Sequence, residues 1–139
     1  MDGCLFCEIV AGHRPAAIVL DDADVVAFLD QRPIFKGHTL VVPRRHVPTL
    51  PDVAPELLVP LSAAVQRVAA AMPAALDAQG TFVAVNNVVS QSVPHLHWHV
   101  VPRRRRDGLR GFFWPRTRYA DDDELAAYAD RLRRMLTTA

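Results

Sequence analysis

Three histidines at alternate positions, His95, His97 and His99, are the residues of this chain best spaced to act together. On an extended strand, positions i, i+2 and i+4 share a face, so the three imidazoles would span about 13 Å at about 3.3 Å per residue, with Leu96, Trp98 and Val100 packing behind them. A helix would scatter them. The chain holds six histidines, enough to make a chance pair easy, but three in phase within an apolar pattern favour function. Two chemistries use such a face: a three-histidine metal site, or a surface on which one imidazole is the nucleophile. Just upstream, Asn86, Asn87, Ser90, Gln91 and Ser92 supply neutral amide and hydroxyl groups suited to an anionic, oxygen-rich group such as phosphate. They offer a metal little.

A second candidate is the C-x-x-C pair Cys4 and Cys7. Two cysteines this close are too few for a disulfide scaffold, and in a reducing compartment the spacing reads as a metal half-site or a redox motif. The first seven residues carry no basic region ahead of an apolar run, so no secretory signal is expected and the cytoplasm is the default location. The longest stretch without Asp, Glu, Lys or Arg, residues 78–102, contains asparagines, serines and three histidines, which a membrane span would not carry. A composition of 50% hydrophobic and 22% charged residues with a net charge of +1 excludes a disordered chain or a highly charged nucleic-acid tail. The 139 residues suit one domain spanning 1–139.

The elements that must position these residues are legible in outline. Residues 18–20 and 25–29 are short β-branched runs separated by Asp21, Asp22 and Asp24, a hairpin signal. Residues 31–37, with Pro33 and Gly37, read as a loop before a third strand at 39–42, stopped by Pro43. From Asp52 to about Ala78 the spacing of Leu57, Leu58, Leu61, Val65, Val68 and Met72 predicts a helix, with Asp52 as cap and Pro55 in the first turn. Pro60 and Pro73 are expected to set its start and to kink or end it. Strands follow at 81–85 and 96–101, and an acidic first turn at 121–124 opens a C-terminal helix expected to bury Leu125, Tyr128, Ala129, Leu132 and Leu136. The predicted class is α+β: a mainly antiparallel five-stranded sheet, a long central helix and a C-terminal helix.

The run Gln91-Ser92-Val93-Pro94-His95-Leu96-His97-Trp98-His99-Val100-Val101 resembles the histidine-triad (HIT) family, whose motif is His-φ-His-φ-His-φ-φ with φ apolar. The resemblance extends to residues 6–9, to Val25-Val26-Ala27-Phe28-Leu29-Asp30, to Gly37-His38-Thr39-Leu40-Val41-Val42-Pro43-Arg44-Arg45-His46 and to the helix between, and so covers nearly the whole chain. It implies a nucleotide hydrolase or transferase acting at a nucleoside α-phosphate, with His97 attacking phosphorus to give a nucleotidyl-histidine that water or another acceptor resolves. A neutral imidazole suits that task at cytosolic pH, and a carbonyl holding its other nitrogen would fix the tautomer. By the same resemblance His99 contacts phosphate oxygens, His38 supports the polar network, and Ser92 or His99 donates to the leaving group. Phe6, Ile9 and Phe28 match the base-pocket wall, Asp30 the acceptor for ribose hydroxyls, and Asn86, Asn87, Gln91 and Ser92 the phosphate and ribose contacts. From the asparagines to Gln91 the loop is about two residues shorter than usual, and Ser90 stands where many members have glycine.

Some branches of this family bind structural zinc through a C-x-x-C, a histidine beyond the third strand and the first triad histidine. The resemblance therefore implies a closed Cys₂His₂ site at Cys4, Cys7, His46 and His95, and no organic cofactor. It also implies a homodimer. Arg103, Arg104, Arg105 and Arg106, with Arg110, Arg116 and Arg118 around Phe112, Phe113 and Trp114, read as a solvated loop that completes a dimer edge or helps hold distal phosphates. A nucleic-acid surface is the competing reading of that block. The balanced charge and the acidic run after it weigh against that reading. The function expected is hydrolysis of nucleoside phosphoramidates or dinucleoside polyphosphates. A nucleotidyltransferase or phosphorylase would use the same intermediate, and a nucleotide-binding module would retain only the fold.

Overall fold

The structure is a computed structural model and describes residues 3–110 and 115–138. The chain divides into two compact units, Met1–Asp107 and Gly108–Ala139. The first unit holds helix α1 (Leu5–Val10), strands β1 (Ile18–Asp21), β2 (Val25–Leu29) and β3 (Thr39–Pro43), a 3-10 turn at Leu50–Asp52, helix α2 (Pro55–Leu76), and strands β4 (Gly80–Val85) and β5 (Trp98–Arg103). The five strands form one antiparallel sheet in the order β1-β2-β3-β5-β4. The predicted α+β class and the five-stranded sheet are what the structure has.

Strand period two sorts the apolar residues onto two cores. Val25, Ala27, Val41, Leu96 and Val100 face α2 and pack with its Leu61, Ala64 and Met72, while Trp98 is packed against the same cluster. Val26, Phe28, Leu40 and Val42 face the other way and pack with Cys4 and Phe6 of the N-terminal arm. Burial on both faces makes β2 and β3 read as continuous apolar runs rather than alternating ones.

Several sequence-based boundaries need correction. Helix α1 was not expected. Cys4 is its N-cap, with Sγ accepting from the Cys7 N–H at 3.4 Å, so the C-x-x-C spacing places the two sulfurs one turn apart. Helix α2 starts at Pro55, and Asp52 instead closes a capping box with Thr49 on the preceding 3-10 turn. Pro60 and Pro73 lie inside α2 and neither starts nor ends it. Each lacks an N–H and leaves one carbonyl without its i+4 donor, a loss the helix absorbs because its Leu61 and Met72 are fixed in the core. By length and composition α2 could cross a membrane, yet its buried face against the sheet is that of a core helix.

The last strand begins at Trp98, two residues later than predicted, so His95 and His97 lie on the lead-in and only His99 is within β5. The alternation of side chains survives, since Leu96 and Val100 enter the α2 core while the histidines do not. The lead-in is held by Leu96 N–H donating to the Val47 carbonyl at 2.7 Å, outside the ladder.

The second unit contains helix α3 (Asp122–Thr138), whose acidic first turn matches the sequence reading. Its apolar residues are not buried: Leu125, Tyr128, Ala129, Leu132 and Leu136 are all exposed, Leu136 at 75%. The periodicity was sound, but periodicity reports a face and not what covers it. Phe112, Phe113 and Trp114, the aromatics set among the arginines, lie outside the described residues.

Gly37 fixes the loop before β3. Its φ is +100°, and an added Cβ would lie 2.4 Å from Leu76 Cδ1 at the end of α2. The leucine tip can move, so the backbone conformation dominates the cost. Gly37→Ala should destabilise the fold by about 1–2 kcal/mol, read as a lower urea midpoint with unchanged m-value; an unchanged midpoint would show that the turn relaxes freely.

Candidate active site and metal centre

A cavity of about 530 Å³ opens on the α1 side of the sheet, a volume in the range of small-ligand sites. Phe6 and Ile9 from α1, Phe28 from β2, and Asp30, Ser92, His97 and His99 all line it. Those seven of the sequence-derived candidates are brought together. Phe6 meets Phe28 edge-on at 5.4 Å between ring centroids and His97 at 5.1 Å, so the apolar wall and the central histidine are one packed unit.

His97 is 4% exposed, and its Nδ1 is 2.8 Å from the carbonyl oxygen of His95. A carbonyl only accepts, so Nδ1 carries the proton and Nε2 keeps its lone pair. This is the tautomer lock anticipated from sequence, and it comes from the chain's own backbone two residues away. A second chain of bonds orders His99. Ile34 N–H donates to His38 Nδ1 at 3.1 Å, which places the proton of neutral His38 on Nε2; that Nε2–H donates to His99 Nδ1 at 2.9 Å. His99 is thereby left with Nε2–H as its donor. Burial lowers the pKa of His38, and burial, then His97 and His38, push His99 down to about 4. Both rings are neutral at pH 7, as the bond directions require.

Asp30 sits where β2 ends. Its Oδ1 accepts from the Arg32 N–H at 2.8 Å, an Asx turn that orients the carboxylate, and its Oδ2 is 3.7 Å from His38 Nδ1. Asp30, His38 and His99 lie close enough to suggest a metal group. Both nitrogens of His38 are engaged by hydrogen bonds, however, so the trio reads as an oriented polar chain.

The amides of the upstream loop are placed differently from the sequence expectation. Asn86, Asn87 and Gln91 are not among the residues lining the cavity. Asn86 Nδ2 donates to the Ser90 carbonyl at 3.2 Å, and Asn87 Oδ1 accepts from Leu50 N–H at 2.8 Å. Gln91 accepts from Val88 N–H at 2.9 Å and donates to the Pro48 carbonyl at 2.7 Å. These side chains brace a tight loop in which Val88 and Ser90 adopt φ of 68° and 61°; the short loop leaves backbone groups that the amides satisfy. Conversely, Arg14, Gln31 and Arg32 line the cavity without having been anticipated. For the latter two the available signal was adjacency to Asp30. Arg14 had none.

Behind Phe6 lies a second cluster. Cys4 Sγ, Cys7 Sγ, His46 Nδ1 and His95 Nδ1 lie within 4.8 Å of one another. His95 Nδ1 is 3.5 Å from both sulfurs, and His46 Nδ1 is 3.4 Å from Cys7 Sγ. Around zinc, bonds of about 2.3 Å to sulfur and about 2.0 Å to nitrogen place tetrahedral S and N ligands about 3.5 Å apart. The donor set and its edges therefore fit such an ion. His95 Nε2 is 2.8 Å from the Pro43 carbonyl, which leaves its Nδ1 lone pair facing the sulfurs, the orientation a second-shell carbonyl gives a metal-binding histidine. Desolvation first, and the neighbouring histidines with it, hold His95 at about 4, while burial raises the Cys7 thiol. His13, by contrast, is exposed beside Glu8.

The chain is similar to several known proteins. The HIT domain family matches residues 11–106. A HIT-like protein of Mycobacterium tuberculosis strain H37Rv is 44% identical over 108 residues, covering 76% of this chain and 75% of that protein. An adenosine 5'-monophosphoramidase of Schizosaccharomyces pombe is 32% identical over 114 residues, covering 81% of this chain and 83% of its own. The crystal structure of a zinc-bound histidine-triad family protein from Mycobacterium smegmatis superposes with a TM-score of 0.74 at 35% identity, covering 99% of this chain and 98% of that one.

The neutral state of His99 sets a pH dependence. An unfolded histidine takes up a proton near 6.5, but folded His99 resists until about 4. Between those values the unfolded chain binds more protons, so the stability this group contributes is complete above about 6.5 and is lost as pH falls toward about 4. Urea midpoints should fall between about pH 7 and about pH 5, less steeply in His99→Gln; equal slopes would remove His99 as the cause.

Proposed function

The chain belongs to the histidine-triad family, and from that premise we propose that it hydrolyses nucleoside phosphoramidates or dinucleoside polyphosphates at the α-phosphate. The observation that carries this reading is the bond from His97 Nδ1 to the His95 carbonyl, which leaves Nε2 as a lone pair on the wall of a nucleotide-sized cavity. The apolar surface of Phe6, Ile9 and Phe28 suits a base, and the Asp30 carboxylate suits ribose hydroxyls.

In this mechanism His97 Nε2 attacks the α-phosphorus, a phosphorus–nitrogen bond to the imidazole forms, and the bond to the leaving amine or phosphate breaks. His99 Nε2–H donates to a phosphate oxygen or to the departing group, and Ser92 is the alternative donor for the latter. Water then attacks the nucleotidyl-histidine, the bond to His97 breaks, and the nucleoside monophosphate leaves with the imidazole restored. His38 holds the tautomer of His99. The monophosphoramidase relative supports the phosphoramidate substrate class.

The Cys4, Cys7, His46 and His95 cluster is assigned to structural zinc, with four protein ligands and no position for substrate. It ties the N-terminal arm, which carries Phe6, to the histidine strand. The reading further includes a homodimer in the cytoplasm: β4 is the outermost strand of the sheet among the described residues, with Val83 exposed, and α2 exposes Leu58 and Val59.

Turnover of adenosine phosphoramidate beside diadenosine tetraphosphate tests the chemistry. AMP should be released by the wild type and fall by at least about 10³-fold in His97→Ala, with a nucleotidyl adduct trapped on His97 by acid quench. Product that becomes ADP when inorganic phosphate is added would reassign the enzyme as a phosphorylase; equal turnover in His97→Ala would overturn the mechanism. For the metal, elemental analysis should find one zinc per chain, and Cys4→Ser should remove it and lower stability by about 3 kcal/mol or more. Substoichiometric zinc in protein purified without chelator would remove the assignment.

A further inference from the structure

The Arg103 to Arg106 block divides in the structure into two residues with internal work and two without. Arg103 pairs with Asp107 through two bonds, at 2.6 and 3.0 Å. Arg104 donates to the carbonyl oxygens of Leu76 at 2.6 Å and Asp77 at 3.0 Å, covering the negative C-terminal end of α2. The side chains of Arg105 and Arg106 have no ion-pair or hydrogen-bond partner among the described residues, nor does Lys36 across from them. Arg106 has a φ of 63°, a conformation that costs a non-glycine residue about 1 kcal/mol or more, and no hydrogen bond or ion pair of its side chain among the described residues offsets that.

Lys36, Arg105 and Arg106 line one cleft of about 600 Å³, whose remaining wall includes Phe35, Leu76 and Pro102. The acidic residue lining it, Asp107, is already neutralised by Arg103. The cleft shares no lining residue with the catalytic cavity. It also lies on the other side of the sheet: by strand alternation Pro102 shares the α2 face with Trp98 and Val100, whereas His99 is on the opposite face. The arginines therefore do not reach the distal phosphates of a nucleotide whose α-phosphate is at His97, one of the two roles expected for them from sequence.

We propose that this cleft is a second ligand site, which takes the phosphate chain of a nucleoside di- or triphosphate on Lys36, Arg105 and Arg106 and its base against Phe35, Leu76 and Pro102. Guanidinium forks match phosphate oxygens in pairs, an ammonium adds a point charge, and an aromatic beside aliphatic side chains gives a base a flat apolar wall. The cap that Arg104 places on α2 removes the negative helix end that would otherwise repel an anion at this spot. The cleft is bounded and holds three unpaired cations, enough for two or three phosphates; a nucleic-acid strand needs a continuous charged track, and the chain has a net charge of only +1. The site does not depend on the chemistry assigned to His97.

The test is isothermal titration of the full chain with inorganic tripolyphosphate and with ADP, in the wild type and in a Lys36→Ala, Arg105→Ala, Arg106→Gly variant. All three residues are exposed, and glycine at 106 accepts the positive φ, so circular dichroism and basal AMP-phosphoramidate turnover should be unchanged. Tripolyphosphate should bind the wild type and weaken by at least about tenfold in the variant, and ADP should lose one of two binding events per chain. Equal tripolyphosphate affinity in the two proteins overturns the site. Tighter binding of a single-stranded oligonucleotide than of ADP, lost in the same variant, overturns the mononucleotide assignment in favour of nucleic acid.

Discussion

A histidine with no exposed surface must find partners for both ring nitrogens inside the protein, and His95 is such a residue. Its Nε2–H is held by the Pro43 carbonyl at the end of β3, so its Nδ1 is turned toward Cys4 and Cys7. Its own carbonyl then has one orientation left, toward His97 Nδ1. The position of the proposed nucleophile thus follows from a chain of three satisfied polar groups. Each link would be costly to leave unmade in so buried a place.

The sheet exists in the form that supports this chain because it is covered on both sides. With α2 on one face and the N-terminal arm on the other, β2 and β3 are held rigidly enough for Pro43 and Leu40 to serve as fixed backings for the histidines. The helix-side face carries stability; the arm-side face carries the cavity, with Phe6 belonging to both the core and the site. Burial keeps the rings of His95 and His99 neutral at physiological pH without a carboxylate pair driving them, and fixed hydrogen bonds, from His95 to the Pro43 carbonyl and from His38 to His99, choose which nitrogen keeps its hydrogen.

Much of this was legible because spacing reports geometry. Alternation in 95–100 gave the histidine face, and the apolar runs at 25–29 and 39–42 gave the central strands. The limits are equally specific. The strand start was misplaced because residues 95–97 keep the alternation of a strand while their hydrogen bonds go elsewhere, from Leu96 N–H to the Val47 carbonyl and from the His97 ring to the His95 carbonyl. Asn86, Asn87 and Gln91 have the right chemistry for a ligand, but the same amides are what a short loop needs to satisfy itself. Pro60 and Pro73 looked like boundaries because local propensity ignores the core that holds α2 together. Arg14 enters the cavity from a turn that no pattern marks.

Residue 95 serves two sites by two different parts of itself. Its imidazole belongs to the thiol cluster, but the atom that fixes His97 is a main-chain oxygen, which every amino acid possesses. Over evolutionary time the two roles can therefore be inherited separately. A lineage that loses Cys4 and Cys7 no longer needs an imidazole at 95 and can fill its space with another side chain, while the hydrogen bond to His97 passes unchanged to the descendants. Divergence should be freer at the first histidine of the motif than at the second.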